Sequence, residues 1–212
     1  METTAAVLTG DLIDSTQTAQ VQVDAAMHVI QSVALNETRH CKADIRFERF
    51  RGDGWQIYSS DSTKVFRLTV LVLANLQSRF DLPKTRISAA TGMVAFLPET
   101  GLASARGEVF TVSGQTLDGM TTQRLIFESV EHGSPWKLAL FSYLEWQSAR
   151  WSPEQAEAIA IAFSFSPPRP RSVTETLGIS RQAAQSRLNG AGFLPLSETE
   201  IAFNSIPVAP YA

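Results

Sequence analysis

Hydrophobic and polar positions switch between two periods along the first 145 residues. Ala5 to Thr9 is an apolar run closed by Gly10-Asp11, the pattern of a buried central strand. Between Thr16 and about Thr38, Val23, Met27, Ile30 and Ala34 recur at helical spacing, which predicts an amphipathic helix capped by Asp14 or Ser15. Ile45 to Arg51 alternates apolar and charged side chains with the period of a strand. Gly52-Asp53-Gly54 then makes a tight turn, and Trp55 to Tyr58 returns, so the two segments form a hairpin. Asp61 to Arg79 predicts a second, strongly apolar helix, and Arg86 to Thr91 another strand. Gly92, Pro98 and Gly101 mark a loop. Beyond it we expect a strand at Gly107–Val112, a third helix at Gln115–Val130 and a strand at Trp136–Phe141.

After Trp146 the pattern becomes wholly helical. Ser152-Pro153-Glu154 opens an alanine-rich helix running to about Phe163, with serine as cap and proline in the first turn. A breaker follows at residues 166–171, and two short helical segments flank Gly178. These shifts divide the chain into residues 1–147, an α+β domain, residues 148–194, a small all-α domain, and residues 195–212, a tail containing Pro207 and Pro210.

Charge sharpens that division. The 212-residue chain has 18 basic and 21 acidic side chains, a net charge of −3, so the whole molecule exerts no pull on nucleic acid. Between Arg150 and Asn189, however, five arginines face three glutamates, a local balance of +2. Any contact with DNA must therefore come from a local patch, and this segment is locally basic. Apolar runs such as Val70 to Ala74 are too short to span a bilayer, and the first residues lack a signal-peptide pattern. The single cysteine, Cys41, excludes an internal disulfide, and His28, His40 and His132 have no metal-ligand spacing. A cytoplasmic protein without a membrane partner is expected. The tryptophans at 55, 136, 146 and 151 are expected in the core and at the domain seam, and Cys41 as an inert packing residue.

The segment from Val173 to Leu188 (Val-Thr-Glu-Thr-Leu-Gly-Ile-Ser-Arg-Gln-Ala-Ala-Gln-Ser-Arg-Leu) resembles the helix-turn-helix of bacterial regulators. Gly178 suits the left-handed turn, Ile179 plugs the angle, and Ser180 caps the second helix. Val173, Leu177, Ala184 and Leu188 would share a small core. Thr174 departs from the small alanine usual there. Arg181, Gln182, Gln185 and Ser186 would then face outward, and arginine and glutamine are the side chains that read guanine and adenine edges bidentately. Arg169 and Arg171 are expected to contact backbone phosphate.

Four blocks of the first domain, in order, resemble those of class III nucleotide cyclases. They are Thr9-Gly-Asp-Leu-Ile-Asp-Ser-Thr16, Arg51-Gly-Asp-Gly-Trp55, Arg86-Ile-Ser-Ala-Ala-Thr-Gly92 and Gly107-Glu-Val-Phe-Thr-Val-Ser-Gly114. The resemblance implies a ferredoxin-like, mostly antiparallel sheet with helices on one face. It also implies that Asp11 and Asp53 hold Mg²⁺ or Mn²⁺ with a nucleotide, since hard cations take carboxylate oxygens. Arg49 and Thr111 fall at the base-reading positions. Counting from Gly114 puts Asp118 and Thr122 where the family has an asparagine and a transition-state arginine, with Arg124 one slip away. Loss of that arginine removes the cation that neutralises developing phosphate charge. The domain is therefore not expected to be an active cyclase.

Joined to the terminal module, this organisation is similar to that of bacterial SatD-like proteins. The leading expectation is a DNA-binding transcription regulator, a homodimer whose cyclase-like domain senses a nucleotide ligand or dimerises. The alternative is a divergent metal-dependent nucleotidyl cyclase or nucleotidyltransferase using Asp11 and Asp53.

Overall fold

The apolar run at the start of the chain becomes the middle of a five-stranded sheet. In the computed structural model, which describes residues 4–130 and 135–205, β1 (Thr4–Leu12) has the hairpin β2 (Ile45–Phe50) and β3 (Gly54–Ser59) on one side. On its other side lie β4 (Thr85–Met93) and β5 (Leu125–Ser129), giving the order β2-β3-β1-β4-β5. Every pair is antiparallel except β4 with β5. α1 (Gln20–His40) links β1 to β2, and α2 (Val65–Gln77) links β3 to β4. This β-α-β-β-α-β chain with interleaved strands is the ferredoxin-like arrangement. β5 is added through α3 (Glu108–Gly119), because a parallel neighbour needs a crossover.

Both faces of the sheet are covered. Ala6, Leu8, Ile57 and Ile87 point toward α1 and α2, into a core with Ile30, Leu68 and Val72. Ala5, Val7, Tyr58 and Ala90 point the other way, against Val109 of α3 and Leu102 of the preceding loop. The expectation of helices on one face is thus corrected: α3 lies on the opposite face. Burial from both sides is also why β1 is continuously apolar instead of alternating.

Three expected elements change type. Gly107–Val112, expected as a strand, opens α3; the expected helix at Gln115–Val130 contains the end of α3 and then β5. Trp136–Phe141, expected as a strand, belongs to α4 (Pro135–Ser148). The cap of α1 also moves. The helix starts after Ala19, while Asp14 sits in the left-handed region (φ 55°) before a separate 3-10 turn at Ser15–Gln17.

The remaining helices are α5 (Pro153–Phe163), α6 (Arg171–Leu177), α7 (Arg181–Ala191) and α8 (Phe193–Ser205). α5 begins at a capping box in which the Ser152 hydroxyl accepts from the Gln155 amide and the Gln155 side chain accepts from Ser152 N–H. Residues 195–205, expected in a tail, belong to α8, and Pro207, Pro210 and His132 lie outside the described residues. Trp55 and Trp151 are buried, as expected, and Trp151 Nε1 donates to the Ala191 carbonyl, where Gln147 also donates. Trp136 and Trp146 are corrected. They are 37% and 52% exposed, and Trp146 stacks on Tyr143 with the Arg150 guanidinium 4.1 Å above its ring.

One buried cluster runs from the helices under the sheet into α5, α7 and α8. At its centre lies Arg67 of α2, 1% exposed. Its Nε and Nη2 donate to the two carboxylate oxygens of Glu37 (2.6 and 3.0 Å), and Nη1 donates to Glu200 of α8 at 2.9 Å. Nη2 also reaches the carbonyl of Phe163 at the end of α5. One cation thereby ties α1, α2, α5 and α8 together, and Glu200 Oε2 has no hydrogen-bond partner among the described residues.

Candidate functional site

Asp11 and Asp53 are brought near one another by the pairing of β1 with β3. Asp11 lies opposite Gly54, and the Leu12 amide donates to the Asp53 carbonyl one position further into the turn. Each carboxylate already has a partner. Arg86, opposite Asp11 on β4, donates from Nε to Oδ1 at 2.9 Å and from Nη2 to Oδ2, a bidentate pair. The pairing holds the Arg86 guanidinium above its ordinary pKa, mainly through the Asp11 hydrogen bonds, with Asp118 adding a smaller attraction. Asp53 accepts from the Ser15 hydroxyl of the 3-10 turn. Behind this layer, the Trp55 indole donates to Thr85 Oγ1, which itself donates to the Asp11 carbonyl at 2.7 Å.

The other expected ligand-binding residues do not converge there. Side chains alternate along a strand, so Arg49, with Ile45 and Phe47, faces α1, whereas Asp11, with Ala5 and Val7, faces α3. Arg49 spends its donors on Asp24 of α1 (2.8 Å) and on the Gly52 carbonyl, and it lowers the pKa of the exposed Asp24 carboxyl. Thr111 lies in the first turn of α3 and bonds the Gly107 carbonyl; Asp118 closes the same helix, exposed. Thr122 and Arg124 follow in the loop before β5. A divalent ion at this position would share the Asp11 oxygens with the Arg86 guanidinium, which takes one acceptor site of each. Among the described residues no group of three or more His, Cys, Asp or Glu side chains could hold a metal ion. Asp11 and Asp53 alone therefore do not complete the coordination of a divalent ion, which takes about six or more oxygen ligands. Arg86 is the residue that sequence reasoning missed, since an arginine opening a strand gives no sign of its cross-strand partner.

The second candidate lies in the C-terminal helices. α6 ends at Gly178 in the left-handed conformation (φ 63°), and α7 starts two residues later at Ser180, whose hydroxyl accepts from the Ala183 amide at 3.1 Å. Val173, Ala184 and Leu188 are buried against α5, with Leu177 and Ile179 packed at the edge. Arg181, Gln182, Gln185 and Ser186 are exposed, as are Arg169 and Arg171. Gln185 donates to Asn189, and Arg187 is held by Glu157 of α5 at 3.0 Å. Arg169 lies over the Phe165 ring and 3.5 Å from Glu175.

No family model matches the chain, and no curated protein matches it. Among solved structures, the crystal structure of the guanylyl cyclase Cya2 is similar at 17% identity and a TM-score of 0.42, over 60% of this chain and 77% of that one. A bacterial light-regulated adenylyl cyclase is similar at 14% identity and the same TM-score, over 60% of this chain and 43% of its own. Both likenesses are too weak to assign a family or an activity.

Proposed function

We propose that the chain is a DNA-binding regulator in which α6 and α7 form a helix-turn-helix supported by α5. The sheet domain serves as the platform for sensing a ligand and for pairing two copies. The observation that carries this is the exposed start of α7. Ser180 fixes where the helix begins, and Arg181, Gln182 and Gln185 stand on its open side while Ala184 and Leu188 anchor the other. In helix-turn-helix proteins the N-terminal residues of the second helix meet base edges in the major groove. Arg169, just ahead of α6, and Arg171, its first residue, would neutralise backbone phosphate. A two-fold dimer would present two such helices to half-sites about 34 Å apart.

The second reading is a metal-dependent nucleotidyl cyclase or nucleotidyltransferase, in which Asp11 and Asp53 would hold the ion with Arg86 beside Asp11 and Arg49 on the other face of the sheet. The regulator reading is tested by selecting duplexes from a random pool with the full chain and titrating the winners. Gln182→Ala should relax base preference at one position, by the roughly 1–3 kcal/mol that a bidentate base pairing supplies. Failure to enrich any sequence removes the proposal.

A further inference from the structure

The surface beside α7 extends beyond the C-terminal helices. An open groove of about 460 Å³ between α6 and α7 is lined by Arg171, Thr174, Glu175, Arg181 and Gln185, among others. A second groove, of about 470 Å³, is lined by residues 165–171 and by His40, the last residue of α1. The two share Pro170 and Arg171, so they adjoin at the start of α6, with α7 on one side and the end of α1 on the other. Three arginines and a histidine line them against one acid, Glu175.

We propose that duplex DNA seated on α7 continues along these two grooves, so that the last turn of α1 holds a backbone phosphate. The proposal rests on the DNA-binding reading above and adds the sheet domain to the interface. Charge complementarity selects the occupant. Arg39 and His40 close α1 and Lys42 follows it two residues later, all three exposed. Among the described residues Arg39, Lys42, Arg171 and Arg181 form no ion pair. His40 Nδ1 lies 2.7 Å from the Asn36 carbonyl, which leaves Nε2 as the ring nitrogen available to a phosphate oxygen. Cations in the last turn also offset the negative end of the α1 dipole. That role does not account for Arg169 and Arg171 lining the same groove from a different part of the chain.

The test compares the full chain with Arg39→Gln/His40→Gln and, separately, Lys42→Gln, with thermal melts to check folding. The probes are a fluorescein-labelled random-sequence duplex, a selected duplex and a random-sequence single-stranded RNA, each titrated at several KCl concentrations. Both variants should weaken binding to the two duplexes by the same factor. The slope of log K against log salt should fall in magnitude by about 0.9 for each phosphate no longer neutralised. Arg51→Gln, in the turn between β2 and β3, should leave both quantities unchanged. If the α1 variants bind with unchanged affinity and slope while Gln182→Ala still alters base preference, this inference fails and the role of α7 stands. If neither kind of variant changes DNA binding, both fail. Tighter binding to the RNA than to either duplex overturns the assignment to DNA.

Discussion

Replacing Arg67 with methionine should be among the most damaging single changes in the molecule. The substitution keeps most of the side-chain volume and removes four hydrogen bonds, two to Glu37, one to Glu200 and one to the Phe163 carbonyl. It also leaves two carboxylates, 3% and 2% exposed, facing one another without their cation. Breaking a buried pair from one side costs about 3–5 kcal/mol, since the remaining charge is neither solvated nor paired. A domain is stable by about 5–15 kcal/mol, so the loss is a large share of the total. For a chain of this size it corresponds to a fall in Tm of about 6–20 °C. Urea unfolding followed by tryptophan fluorescence and circular dichroism measures it. Adding Glu37→Gln and Glu200→Gln to Arg67→Met should recover most of the loss, because no buried charge remains. A cost below about 1 kcal/mol for Arg67→Met is what a solvated surface pair gives. That outcome would refute the burial on which the magnitude stands.

Three further outcomes follow from single residues. Burial pushes the Glu200 carboxyl above the ordinary glutamate range, with Arg67 opposing the shift. A carboxyl raised on folding contributes stability that is complete below its unfolded pKa, about 4.3, and is lost as pH rises through the folded value. Glu200→Gln should therefore flatten the decline of stability above about pH 4, and superimposable pH profiles for the two proteins would contradict this. At Gly10 a Cβ would stand 2.4 Å from the Trp55 ring and 2.6 Å from the Arg86 carbonyl. Gly10→Ala should cost about 1–3 kcal/mol in thermal unfolding, and an unchanged Tm would show that β1 can move. Ser180→Ala removes the α7 cap at about 1 kcal/mol, so amide exchange at residues 181–184 should accelerate; equal exchange rates would argue that the cap does not hold the helix start.

What is legible in the sequence follows the reach of the interactions. β1 to β4, α1 and α2 can be read because each carries a period that its neighbours reinforce, down to the Gly52–Gly54 turn. α3 reads as a strand because Val109, Phe110 and Val112 favour one locally, while its buried stripe of Val109, Ser113 and Leu117 is only partly apolar. Ser113 is buried because it bonds Thr9 and the Ser88 carbonyl across the sheet, a partnership no local pattern displays. Trp136 to Phe141 alternates like a strand, yet α4 buries Phe141 and Leu144 and leaves Trp136 and Leu138 exposed. At the candidate sites, the cap and core of α7 follow from nearest neighbours and are legible. The pairing of Asp11 with Arg86, 75 residues away, is not. A lone arginine in the run from Val65 to Ala74 is the available sign of the buried cluster at Arg67.

The start of α7 can be tested by placing a benzoyl-phenylalanine photocrosslinker at position 182 of the full chain and irradiating it with a selected duplex. A second protein carries the crosslinker at position 142, on the exposed side of α4. Crosslinks from position 182 that map to bases of the preferred sequence, with none from position 142, are the predicted result. Equal crosslinking from both positions, or none from position 182 under conditions where the duplex is bound, would contradict the placement of α7 in the groove.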